Sequence, residues 1–160
     1  MDNLQQAPVT LCVVKAGLAA GTTNTYSTVG ATVYGIKGKA YSKAAATNGA
    51  LPVIDRASNV AFAPMAVNQG AIVTFAYDAA GNVRCAQGQM QSLDVAGNFV
   101  ISPQFPIVTD TDCVFGYLVL KAGATLAAPF VFGTSNLSGV TGVTYAFQDV
   151  LSLPDRPQVS

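Results

Sequence analysis

Apolar and polar positions along the chain alternate in short runs, and no stretch repeats apolar residues at a convincing helical spacing. The most apolar run is 112–121, Asp-Cys-Val-Phe-Gly-Tyr-Leu-Val-Leu-Lys. It reads as one strand bounded by charges. Strict alternation sends Cys113, Phe115, Tyr117 and Val119 to one face and Val114, Gly116, Leu118 and Leu120 to the other, so both faces are apolar. Such a strand is either central in a covered sheet or has its second face against another subunit. Left bare, it would aggregate.

The rest of the chain is organised around that strand. Strands are expected over 9–15, 25–31, 71–77, 83–86, 99–102, 129–133 and 142–150, with 32–44 also extended. Pro64 demotes 59–67 to an edge or broken strand. Asn48-Gly49 is a turn signal. Asp78-Ala79-Ala80-Gly81-Asn82 and Asp94-Val95-Ala96-Gly97-Asn98 repeat one turn pattern. About eight to ten short strands with regular turn signals predict an all-β protein, an antiparallel β-sandwich or jelly roll. Val73, Phe75, Phe115, Leu118, Leu120, Val131 and Phe147 are expected in or near its core.

One domain is expected over 1–160, with a compact body at about 8–150 and extended arms at 1–7 and 151–160. Pro154 and Pro157 keep the tail extended and out of any sheet interior. Asp155 and Arg156 are its only charges and offer a directional contact to a neighbour.

Composition changes the picture in one way. Only 10% of residues are charged and the net charge is zero, so the surface is poorly protected against association. Much of it is expected to be interface. The start lacks the basic and apolar segments of a signal peptide, and no apolar run reaches the ~18 residues of a membrane-spanning helix. A soluble chain made in the cytoplasm is expected, without a membrane partner.

Candidate chemistry is sparse. The chain has no His and no Glu, which removes the commonest base and any His-based triad. Asp110-Thr111-Asp112 lacks the Gly of an aspartic-protease motif, and its two acids read as solvated guards at a strand start. The Asp-x-Ala-Gly-Asn turns offer one carboxylate each, too few for calcium. Cys12, Cys85 and Cys113 read as small buried hydrophobes of a reducing compartment. No enzyme activity, catalytic residue, cofactor or metal is expected. Lys37, Lys39, Tyr41 and Lys43 fall on one face at period two. They are too few for a nucleic-acid track, so the readings left are edge protection and docking onto an acidic partner.

Several phrases resemble small virion proteins of tailed bacteriophages. They are Gly35-Ile36-Lys37-Gly38-Lys39-Ala40-Tyr41, Asn68-Gln69-Gly70, the span 78–88, Phe115-Gly116-Tyr117-Leu118-Val119, Phe132-Gly133-Thr134-Ser135-Asn136 and the Leu-Pro-Asp-Arg-Pro-Gln tail. The resemblance implies a capsid cement or decoration protein on the outer surface of the virion. Such a protein stabilises contacts between major capsid protein subunits and associates with itself, most simply as a trimer. A phage tail, fibre or receptor-binding module is the first alternative. A cytosolic ligand- or carbohydrate-binding β domain is the second, and the absence of Trp speaks against it.

Overall fold

The structure, a computed structural model, describes residues 9–159. The expected amino-terminal arm, 1–7, lies outside the described residues. Among the described residues the chain is all-β, without a helix, and every strand pair is antiparallel.

The strands are β1 (Leu11–Cys12), β2 (Ala19–Ala20), β3 (Thr25–Ser27), β4 (Thr32–Ile36), β5 (Lys39–Lys43), β6 (Gly49–Ala50), β7 (Gln69–Tyr77), β8 (Val83–Gln87), β9 (Gln91–Ser92), β10 (Cys113–Ala122) and β11 (Val143–Asp149). The largest sheet runs β11-β10-β7-β8, with β9 beside the start of β7. Two three-stranded sheets, β1-β4-β5 and β2-β3-β6, pack over one face of it. The segment 99–105 and the tail cover part of the other.

β7 alternates cleanly. Ala71, Val73, Phe75 and Tyr77 enter the main core, while Ile72 joins a smaller cluster on the second face. β10 does not alternate as expected. Val114 pairs with Ala76 and Gly116 with Phe75, so Phe115 is an extra residue, a β-bulge. The bulge shifts the phase of everything after it. Cys113, Phe115, Leu118, Leu120 and Ala122 line the main core, and Tyr117 and Val119 face the other way. Gly116 is needed beside the bulge. A Cβ there would meet Leu18 Cδ2 at 2.7 Å and the Gln148 carbonyl oxygen at 2.9 Å.

Aromatic rings knit the layers together. Tyr77 stacks between Phe115 at 4.1 Å and Tyr34 of β4 at 5.1 Å, and Tyr26 of β3 meets Phe75 edge-on at 6.2 Å. Burial pushes the Tyr77 phenol up to about 12, and the Thr32 and Thr28 hydroxyls beside it offset part of that rise. Of the expected core residues, Val73, Phe75, Phe115, Leu118 and Leu120 are buried, and Val131 and Phe147 pack half-buried against them.

Several expected strands are absent as strands. The 59–67 and 129–133 segments meet only at a single bridge, Met65 to Phe130. Asn59 and Asn68 take positive φ of 58° at its flanks, and Pro64 lacks a donor. Residues 99–102 form one bridge, Phe99 to Leu93. The twin turns, by contrast, are near copies. In each, the first Asp Oδ1 accepts the N–H groups two and four residues on, at 3.0 and 2.9 Å for Asp78 and 2.9 and 2.8 Å for Asp94.

The tail is not a free arm in this structure. Pro157 is buried, Leu153 and Val159 pack with Ile72, Tyr117 and Val119, and the Gln158 N–H donates to the Tyr117 hydroxyl at 2.8 Å. The second apolar face of β10 is thus covered from within the chain. The prolines that bar the tail from a sheet interior leave it free to lie across a sheet face.

Candidate interaction surface

The β1-β4-β5 sheet has one face in the core and one in water. Its inner face carries Cys12, Tyr34 and Ile36. Alternation and register place Leu11, Val13, Val33, Gly35, Ala40 and Ser42 on the outer face. Val33 pairs with Ser42, Gly35 with both Leu11 and Ala40, and the Val13 N–H bonds the Val33 carbonyl at 2.8 Å. This face holds no charge and few bulky groups. Val13 is 58% exposed and Val9, whose carbonyl accepts the Gly38 N–H, 53%. An ordinary half-buried sheet shows polar residues here. Leu11, Val13 and Val33 are its exposed large apolar side chains, and the remaining positions are Gly35, Ala40 and Ser42.

The expected basic stripe is only partly assembled. Lys37 and Gly38 are the two turn residues of the β4-β5 hairpin, with φ of 50° and 80°. Both angles are positive, as in the hairpin turns whose twist matches the strands. The hairpin reverses the chain, so Ile36 pairs with Lys39 and Lys37 leaves the face it was expected to share. Lys37 reaches Asp110 instead, at 2.7 Å, with both side chains largely exposed. Lys39, Tyr41 and Lys43 do share a face. Tyr41 stacks on buried Tyr34 at 5.5 Å, Lys39 Nζ stands 5.5 Å from the Tyr41 ring, and the Lys43 stem runs beside Gly81. β5 is the outer strand of its sheet, so these lysines stand along an open edge. Asp155 and Arg156 are exposed on the docked tail, and neither forms an ion pair among the described residues.

Asp55, Asp78 and Asp112 are held in structural contacts. Asp112, expected as a solvated guard, is 3% exposed and holds Arg56 at 2.7 and 3.2 Å. Its neighbour in sequence, Thr111, donates to it at 3.3 Å. Asp55 is also buried. It accepts the N–H groups of Ala57, Ser58 and Gln87 and the Ser58 hydroxyl. Together with the Arg56 N–H on the Cys85 carbonyl at 2.8 Å, it clips the loop to the outer edge of β8. Burial alone would raise the Asp78 carboxyl. Donation from Asn82, Arg84 and Ala80 outweighs it and holds the group below the usual range. Among the described residues no three His, Cys or Asp side chains come together as a metal site.

Sequence reasoning missed the Asp55-Arg56-Asp112 clip, because its members are 56 residues apart at the ion pair and share no motif. It also missed an open groove of about 690 Å³ between 87–91 and 101–107. Gln87, Gln89, Gln91 and Gln104 line it with Ile101 and Ile107, so it presents neutral amides and apolar groups without a titratable one. The spacing of Gln87, Gln89 and Gln91 at period two was the available signal. Comparison with protein-family models, with curated proteins and with solved structures returns no match.

Proposed function

We propose that the protein is a structural component of a tailed-bacteriophage virion, a capsid cement or decoration protein. It binds the outer shell and stabilises contacts between major capsid protein subunits. The observation that carries this reading is the uncharged outer face of the β1-β4-β5 sheet, in a chain with only 10% charged residues. Exposed apolar area of this kind gains free energy only when a partner covers it. Lys39 and Lys43 along the adjacent edge suit an acidic rim on that partner. The resemblance of the chain's structural phrases to phage virion proteins points the same way, and Asp55, Asp78, Asp94 and Asp112 are engaged in holding loops.

The test is purified particles and a quantitative gel. A cement protein is present in many copies per shell, and a fibre in few. Val13→Asp and Val33→Asp, both on exposed positions, keep the fold and abolish binding to shells stripped of the protein. Binding that survives both changes overturns the assignment of this face. The glutamine-lined groove favours a second reading, a tail or receptor-binding module that takes a neutral polar ligand. Low copy number in the particle selects it.

A further inference from the structure

We propose that β11 joins two copies of this chain edge to edge into one continuous sheet. The pairing rests on the fold alone, whatever else the protein binds. β11 is the outermost strand of the large sheet and pairs with β10 in unbroken register over seven residues. The Val150 N–H bonds the Phe115 carbonyl at one end, and the Gly123 N–H bonds the Gly142 carbonyl at the other. Antiparallel ladders alternate, so the even-numbered residues of β11 turn their main chain inward to β10. The main-chain groups of Tyr145, Phe147 and Asp149 then point outward, between two ends already engaged: the Val143 N–H bonds the Val140 carbonyl at 3.2 Å, and the Leu151 carbonyl accepts the Cys12 N–H at 2.8 Å. Among the described residues no strand takes them.

The far edge of the same sheet and the β5 edge are guarded. The Asp55-Arg56 loop covers β8 through bonds to the Cys85 carbonyl and the Gln87 N–H. β5 carries Lys39 and Lys43. Charges, proline and bulges are the usual devices against edge pairing. β11, Val-Thr-Tyr-Ala-Phe-Gln-Asp, has no lysine, no arginine, no proline and no bulge. Its single charge, Asp149, accepts the Leu18 N–H at 2.9 Å.

The strand is self-complementary. A two-fold axis at Ala146 sets each Tyr145 opposite the second copy's Phe147, and each Val143 opposite the second copy's Asp149. The Tyr145–Phe147 pairs are then hydrogen-bonded pairs, four main-chain bonds about the axis. Tyr145 and Phe147 are already neighbours, with ring centroids 5.9 Å apart, so the register makes an aromatic cluster across the seam. On the other face Ala146 meets its own copy and Thr144 meets Gln148. No like charges face each other, and a chain of zero net charge does not repel itself. An isologous pair closes at two, which departs from the trimer that the resemblance implies.

Light scattering on the full chain at high micromolar concentration separates the outcomes. The pair weighs twice the 16.4 kDa chain. Ala146 is exposed, so Ala146→Lys and Ala146→Glu each leave the fold intact by circular dichroism while placing like charges at the axis. Each is expected to weaken the pair more than about tenfold, and a mixture of the two to restore it. A monomeric or trimeric wild type overturns the proposal. So does an Ala146→Lys protein that dimerises as tightly as wild type. If either variant unfolds, hydrogen exchange on the wild type decides: Tyr145 and Phe147 amides must gain protection with concentration, and unchanged exchange sinks the idea.

Discussion

The Gln158 amide donates to the Tyr117 hydroxyl at 2.8 Å, tying the tail to the middle of the central strand 41 residues away. Tyr117 also meets Phe105 edge-on at 5.0 Å, so its side chain touches both segments that cover the second face.

Tyr117→Phe keeps the ring and removes the acceptor. Gln158 is exposed and its amide regains water, so the expected loss is about 1 kcal/mol. Deleting 152–160 costs more, about 3 kcal/mol, because it uncovers Ile72, Tyr117 and Val119 together. Urea unfolding measures both, and dye binding to exposed apolar surface should rise only in the deletion. A deletion mutant as stable as wild type would show that the tail's docking contributes nothing.

Arg56→Ala leaves the buried Asp112 carboxylate without its partner. A fully buried pair broken this way loses 3–5 kcal/mol, but the Arg56 side chain is 34% exposed and water can follow it in. The expected loss is about 2 kcal/mol. Lys37→Ala breaks an exposed pair with Asp110 and should change the unfolding midpoint by almost nothing. Equal effects from the two variants would refute the distinction.

Gly116→Ala places a Cβ against Leu18 and the Gln148 carbonyl beside the bulge. The expected cost is about 2 kcal/mol, with a lower midpoint and an unchanged slope in denaturant.

Stability should fall at both ends of the pH scale. The Asp94 carboxyl is held below the usual range by the Asn98 N–H first and then by further donors of its own turn, and Asp78 lies low as well. Groups depressed in the fold contribute stability above their unfolded value near 4, and it is lost as pH falls through the folded one. Asp94→Asn keeps an acceptor and should flatten the acid limb. At the other end, burial pushes the Cys113 thiol from 9.0 up to about 12, and the Cys12 and Cys85 thiols also rise. Groups raised in the fold contribute stability below their unfolded value, and it is lost as pH climbs toward the folded one. The alkaline limb therefore opens near pH 9. A thiol reagent at pH 8 should leave all three cysteines unmodified until denaturant is added, and rapid labelling of the native protein would count against their burial.

The long strands were legible because each is apolar enough to be read alone. β7, its Asp78–Asn82 turn and β8 match the expected hairpin, and β10 spans the expected run. The faces of β10 were misassigned, since one bulged residue at Phe115 reverses the alternation, and its one mark in the sequence, Gly116 inside an apolar run, does not by itself say which residue is extra. Gly38 was a visible signal for the β4-β5 turn, but Lys before it is not the usual turn residue, and the extended reading prevailed. Asp112 looked exposed because its partner, Arg56, comes from a loop that only the fold brings near. Of the lysine stripe, the edge residues keep their common face and Lys37 does not.

Chain order adds a consequence to the way the second face is closed. The ladder of β7, β10 and β11 is complete at Asp149, yet the cluster of Ile72, Tyr117 and Val119 gains Val150, Leu153 and Val159 only afterwards. Closing the sheet and closing its second face are therefore separable steps. A chain cut after Asp149 keeps the strands but leaves only Phe99 and Phe105 over Ile72, Tyr117 and Val119, and it should collect during refolding as a sticky species that the intact chain passes through.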